Sequence, residues 1–295
     1  MSLSLRSVLP ISSPMATLTA LPTCASQFCP RPPTLWQRWW ARHEGIWLQE
    51  RWYCSVDCFQ VGVFRRLESA AYARRPDAKP NRLPLGLVLL SQGDITDAQL
   101  RQALERQRAA KSGKLGEWLV KMGAVSEQQV TAALAVQQCC PVFPARDYQP
   151  LPATLHWPLP LVHTYRAVPV FYNRPQSSLY VGFLEGISHA LLYSLEQMLR
   201  CRTQPCIVPV STYDRQLEWQ TRSLDSETVV INQRQSDVEM TQTIGNYAQQ
   251  VRAERCSLTC CEEHLWTRLE RSGGFHVDFL FRVPPSTELA PRRSQ

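Results

Sequence analysis

Long apolar runs are missing from this sequence: every hydrophobic stretch is broken by Pro, Gln, Arg or Gly within about 10 positions, short of the roughly 20 residues a membrane-spanning helix needs. A helical membrane span is thereby excluded. Residues 1–23 carry one Arg among several Ser and Pro without a continuous apolar core, so no secretory signal is expected and a cytoplasmic place is. His43, His156, His163, His189, His264 and His276 never fall into H-x-x-x-H or H-E-x-x-H spacing, which excludes the commonest catalytic zinc pattern. No G-x-x-x-x-G-K-[ST] phosphate cradle occurs and no acidic Mg2+-binding stretch follows one, so ATP hydrolysis has no visible machinery and the chain reads as a non-enzyme. An even cysteine count is also lacking. The eleven cysteines include several inside apolar runs, which argues against a disulfide framework and for a reducing compartment with one metal site and buried thiols.

The 295 residues suffice for two or three domains. Part of the net charge of +7 sits in Arg65, Arg66, Arg74, Arg75, Lys79 and Arg82, a stretch that includes Pro76 and Pro80. It reads first as a solvated basic linker over 73–83, and second as a patch for phosphates or acidic partners.

Cys24, Cys29, Cys54 and Cys58 form a C-x4-C, long spacer, C-x3-C arrangement. Two short-range pairs of this kind can meet around Zn2+ as four tetrahedral thiolate ligands, a closed and therefore structural site on which the segment would depend for folding. Unrelated buried cysteines are the alternative. Trp36, Trp39, Trp40, Trp47, Trp52 and Tyr53 stand between or beside the pairs and would cover such a centre. Gly45–Cys54 has strand, turn and strand character, as zinc ribbons do before their second pair. A helix with Asp57 as its N-cap and an end near Tyr72 would follow. Zinc modules bind nucleic acid, bind proteins or only staple a fold; a nucleic-acid partner is not expected here.

The strongest signal is a self-similarity at a 30-residue offset. Copy one reads Leu85-Gly86, Leu89-Leu90, Gly93, Ile95-Thr96, Gln99-Leu100, Ala103-Leu104 and Gln107; copy two reads Leu115-Gly116, Leu119-Val120, Gly123, Val125-Ser126, Gln129-Val130, Ala133-Leu134 and Gln137. Thr96 with Gln99, and Ser126 with Gln129, predict capping boxes, while Ile95 with Leu100, and Val125 with Val130, predict hydrophobic staples. Gly93 and Gly123 stand where a preceding helix should close through a left-handed residue. Each copy is thus a helix-turn-helix unit, and the recurring Leu, Ala and Gln positions are in the first place plain core.

This tandem pattern resembles the MshEN domain at the N-terminus of type II secretion and type IV pilus ATPases. The resemblance implies a binding module. In family members that bind cyclic di-GMP, an opening Arg, the Leu-Gly pair, the helix Leu residues and the closing Gln surround the dinucleotide. By position this implicates Leu85, Gly86, Leu100, Leu104 and Gln107, then Lys114, Leu115, Gly116, Val130, Leu134 and Gln137. Pro84 and Lys114 occupy the two Arg positions, and the spacer from Arg108 to Gly113 is one residue longer than the family's usual five. Lys114 keeps a phosphate-directed charge without the planar fork of Arg. A protein of a secretion or pilus system is the other partner the resemblance implies, through a repeat that no longer takes nucleotide.

After the repeat, strands are predicted over Ala167–Tyr172, Ser178–Phe183 and Cys206–Val210, with an amphipathic helix over Ser188–Leu199 and a helix from Ser211. This order resembles the small α/β subdomain that follows the repeat in secretion ATPases. Residues 236–253 open with a capping box, Ser236 with Glu239, and strands follow at Arg255–Cys260, His264–Leu269 and Phe275–Val283, like the start of an ATPase domain without its Asp-Ile-His signature. Cys201, Cys206, Cys256, Cys260 and Cys261 read as buried packing. The expected fold class is α+β, divided into a disordered 1–20, a cysteine module 21–72, the linker, a tandem-repeat helical domain 84–143, an α/β subdomain 144–222, an α/β remnant 223–285 and a disordered tail 286–295.

Overall fold

A computed structural model of the chain describes residues 22–30, 45–73, 82–144, 151–152, 155–222 and 227–283. The expected disorder at 1–20 and 286–295, the indoles of Trp36, Trp39 and Trp40, and Arg74, Arg75 and Lys79 of the basic linker lie outside the described residues. Within them the molecule is mixed α+β with two sheets, and no helix is long and apolar enough to cross a membrane.

A short antiparallel hairpin, β1 (Ile46–Leu48) and β2 (Arg51–Tyr53), turns through Gln49 at φ 54° and leads into helix α1 (Val56–Ala73). Asp57, expected as the N-cap, lies inside the first turn instead. The Ser55 hydroxyl takes that place by accepting from the Cys58 amide at 3.3 Å, because the helix begins two residues earlier than the carboxylate suggests.

The repeat follows as α2 (Leu85–Gln92), α3 (Asp97–Ala110), α4 (Leu115–Lys121) and α5 (Glu127–Gln138). Thr96 and Ser126 cap α3 and α5 with reciprocal bonds to Gln99 and Gln129. Gly93 and Gly123 take positive φ of 75° and 68° after α2 and α4, and the amides of Gly93 and Gly123 return to the carbonyls of Leu90 and Val120. Leu89 and Leu119, Ile95 and Val125, and Ala103 and Ala133 fill one shared core from equivalent positions.

A three-stranded sheet then forms from β3 (Ala167–Asn173), β4 (Ser178–Phe183) and β5 (Arg202–Ile207), preceded by α6 (Leu159–Tyr165). β3 and β4 pair antiparallel, and α7 (His189–Leu199) crosses to bring β5 in parallel beside β4. Pro169 and Pro205 lie on the two edge strands, where the missing N–H need not enter the ladder. The strand expected over Cys206–Val210 runs over 202–207 instead, because Pro209 already offers its carbonyl to Thr212 and Tyr213 at the start of α8 (Val210–Arg222).

The second sheet is built from distant parts of the chain. After β6 (Glu227–Ile231) and α9 (Asp237–Gln250) come β7 (Arg255–Cys261), β8 (His264–Glu270) and β9 (His276–Arg282), in the order β2-β1-β7-β8-β9-β6. Residues 46–53 and 227–283, assigned from the sequence to separate segments, thus share one sheet. Its central strands are buried on both faces. Leu265, Leu269, Phe279 and Phe281 pack with α1 and α9, while Cys261, Trp266 and Leu280 join the core of the three-stranded unit. α7 lies between the two sheets, and Tyr165 Oη and Ser194 Oγ donate across to the Cys261 and Cys260 carbonyls.

In that double-sided core one ion pair is sealed. Arg268 and Asp278 stand opposite each other in register, with Nε and Nη2 each 2.8 Å from the carboxylate. Arg268 Nη2 also donates to the His156 carbonyl, and Trp266 Nε1 donates to Asp278. Burial first, then the charges of Arg268 and His276, lower His156 to about 4. Its unfolded value is near 6.5. Between those values the unfolded chain binds the extra proton, so stability is lost as pH falls from about 6.5 towards 4. Urea titrations across that window should show a loss on the order of 2–3 kcal/mol from this group, and His156→Phe should flatten the profile.

Candidate functional site

Of the residues implicated in the repeat, the structure assembles six in one patch at the junction of the copies. α3 packs on α4 and α5 on α2, so each copy's second helix meets the other copy's first. A Cβ on Gly86 would sit 2.8 Å from Leu100 Cδ1 and 3.2 Å from Leu115 Cδ2; one on Gly116 would sit 2.9 Å from Val130 Cγ1 and 3.5 Å from Leu85 Cδ2. The two glycines therefore let the helices approach and are themselves buried under Leu100 and Val130, while Leu85, Leu100, Leu115 and Val130 remain half-buried.

The polar members are placed differently. Gln107 Nε2 donates to the Gly113 carbonyl and Gln137 Nε2 to the Leu83 carbonyl, so each Gln holds the residue that leads into the other copy. Lys114 Nζ is in an ion pair with Glu185, which also binds Arg166 Nη1 at 3.1 Å. Leu104 is half-buried apart from the patch. Leu134 packs against the three-stranded unit, where Glu127 at the start of α5 also accepts from the Ser211 amide and hydroxyl. Glu185 carried no sequence signal, because its partner is 71 positions away and both lie at ordinary surface charges.

The second cluster is the cysteine box. Cys24 and Cys29 come from the segment 22–30, Cys54 follows β2, and Cys58 lies in the first turn of α1. Their four Sγ atoms all lie within 4.8 Å of one another, close enough to hold a metal ion. Cys29 and Cys54 Sγ are 3.5 Å apart, and Cys54 and Cys58 4.0 Å. Four sulfurs arranged tetrahedrally at the usual Zn–S distance of about 2.3 Å would be about 3.8 Å apart, so the observed separations bracket that geometry. Burial and then the neighbouring thiols push Cys54 well above its ordinary value. None of the eleven cysteines forms a disulfide. Cys201, Cys206, Cys256 and Cys261 are buried in the cores, and burial pushes Cys201 up to about 11 and Cys261 to about 12, away from the thiolate form.

No protein-family model matches the chain, and no curated protein matches it. Solved structures similar to part of it include that of MshE with cdg, at 24% identity and a TM-score of 0.36, covering 47% of this chain and 99% of that one. The N-terminal domain of XpsE is similar in two crystal forms. One is 18% identical with a TM-score of 0.35, covering 50% of this chain and 94% of that one. The other is 19% identical with a TM-score of 0.27, covering 44% and 89%.

Proposed function

We propose that the chain is a non-enzymatic regulatory or adaptor protein whose tandem repeat is a binding module of the kind found at the N-terminus of type II secretion and type IV pilus ATPases, with cyclic di-GMP as its ligand. The observation that supports this reading is the doubling of one local arrangement. The half-buried pairs Leu85 with Val130 and Leu115 with Leu100 flank equivalent buried glycines at a 30-residue offset. A dinucleotide made of two identical halves suits a surface made twice from the same parts, its purine faces packing on apolar side chains.

A second reading, a protein-interaction module that no longer takes nucleotide, is favoured by specific contacts. The Lys114 ammonium is engaged by Glu185, and both Gln amides are used on backbone carbonyls. Such a surface offers mainly apolar side chains to a secretion or pilus protein. Calorimetric titration with cyclic di-GMP, with GTP and ATP as controls, separates the two. Wild type should bind the dinucleotide, and Glu185→Gln, which releases Lys114, should bind it at least about ten-fold more tightly, a difference of about 1.4 kcal/mol. No heat from either protein would leave the interaction reading standing.

The metal belonging to the cysteine box is Zn2+ in a structural role. Four thiolates close the coordination sphere, and soft sulfur donors in tetrahedral array suit zinc.

A further inference from the structure

The cysteine box ties the segment 22–30 to the hairpin and to α1. The segment 22–30 meets the hairpin through the Ala25 amide on the Trp52 carbonyl at 2.8 Å, and meets α1 through Arg65, which donates to Gln27 and lies over the Phe28 ring. β1 and β2 are three residues each, far too short to persist as an isolated hairpin.

Yet the C-terminal sheet leans on this small unit. β1 is the parallel neighbour of β7, through Trp47 opposite Arg255 and Leu48 opposite Cys256. Gln49 adds its amide to the Cys256 carbonyl at 2.8 Å and its side chain to the Leu258 carbonyl at 3.0 Å. α1 buries Phe59, Val63 and Leu67 in the same core as Ile244, Leu265, Leu269 and Phe279. It lies so close to α9 that a Cβ on Gly245 would be 2.3 Å from Gln60 Nε2. The repeat, by contrast, has its main core to itself and touches the shared one at Leu134 and Ala135.

We infer that the zinc of the cysteine box is a clasp for the C-terminal sheet: by holding β1, β2 and α1 as one folded unit, it maintains the parallel neighbour of β7 and, with α1, part of the cover on one face of β7, β8 and β9. The inference rests on the zinc reading given above. Metal loading then governs the folding of residues 227–283 and leaves the repeat at 85–138 unaffected.

Amide hydrogen exchange read by mass spectrometry on the full chain tests it, with metal content measured in parallel and a thiol reductant present throughout. The purified protein should carry one zinc per chain. Removing it with a high-affinity zinc chelator should speed exchange at least ten-fold in β1, β2 and α1 and also in β7, β8 and β9, with α2–α5 unchanged; adding Zn2+ back should restore protection. A protein free of metal with all six strands protected would overturn the zinc reading itself. Zinc that is present, but whose removal speeds exchange only around the four cysteines, would overturn the clasp and leave the zinc reading intact. Loss of protection spread through α2–α5 as well would equally overturn it, since the clasp acts on one core and not on the other.

Discussion

Asp278→Ala should destabilise the protein by about 3–5 kcal/mol, measured as the shift of the urea unfolding midpoint. The carboxylate accepts three hydrogen bonds, two from Arg268 and one from the Trp266 indole. Arg268 and Asp278 are each 2% exposed, so water cannot replace what is removed. The variant strands a guanidinium in a core sealed on both faces of the sheet, and an unpaired buried charge costs far more than the pair contributed. Asp278→Asn should fall between the two, because it keeps an acceptor and loses the charge. The double variant Arg268→Met, Asp278→Leu should recover most of the loss, since apolar residues of similar volume often replace a buried pair with little penalty. A loss below about 1 kcal/mol in Asp278→Ala would mean that water reaches the pair.

Leu89→Ala and Leu119→Ala should each destabilise by about 2–5 kcal/mol, and by nearly the same amount. Both side chains are fully buried at equivalent positions of the two copies, in one core that also holds the equivalent pairs Ile95 with Val125 and Ala103 with Ala133. Leu104→Ala and Leu134→Ala supply the contrast. Only Leu134 among them packs against the three-stranded unit, so its truncation should be the more damaging of the two. Thermal unfolding of the four variants would show whether the copies act as one core. A large difference between Leu89→Ala and Leu119→Ala would mean that they do not.

What was legible in the sequence was local. The caps at Thr96, Ser126, Ser236 and the glycines at 93 and 123 depend on residues a few positions apart, and they appear where the chain demands them. The strands at 167–173, 178–183 and 255–282 followed from short apolar runs bounded by turns. The spacing of Cys24, Cys29, Cys54 and Cys58 sufficed to bring four thiols to mind as a group, and the structure holds them together. The shared sheet was not legible, since nothing in Ile46–Leu48 marks Arg255 and Cys256 as its partners. β6 went unread because its β-branched run is short and only part-buried. The Lys114–Glu185 pair and the Arg268–Asp278 pair were hidden for a different reason: a single charge carries no period, and only the assembled fold decides which opposite charge it faces.

The joining of β1 to β7 also has a consequence during synthesis. All four cysteines and the hairpin leave the ribosome early, but at 5–20 residues per second the rest of the sheet arrives roughly 10–40 s later. For that interval the main chain of β1 offers its unpaired edge, with Trp47 beside it, to any other extended segment within reach. Nascent chains crowded on one message would be each other's nearest candidates. Yield in the cell should therefore depend more on sparse initiation, which keeps nascent chains apart, and on chaperone supply than the stability of the finished fold would suggest.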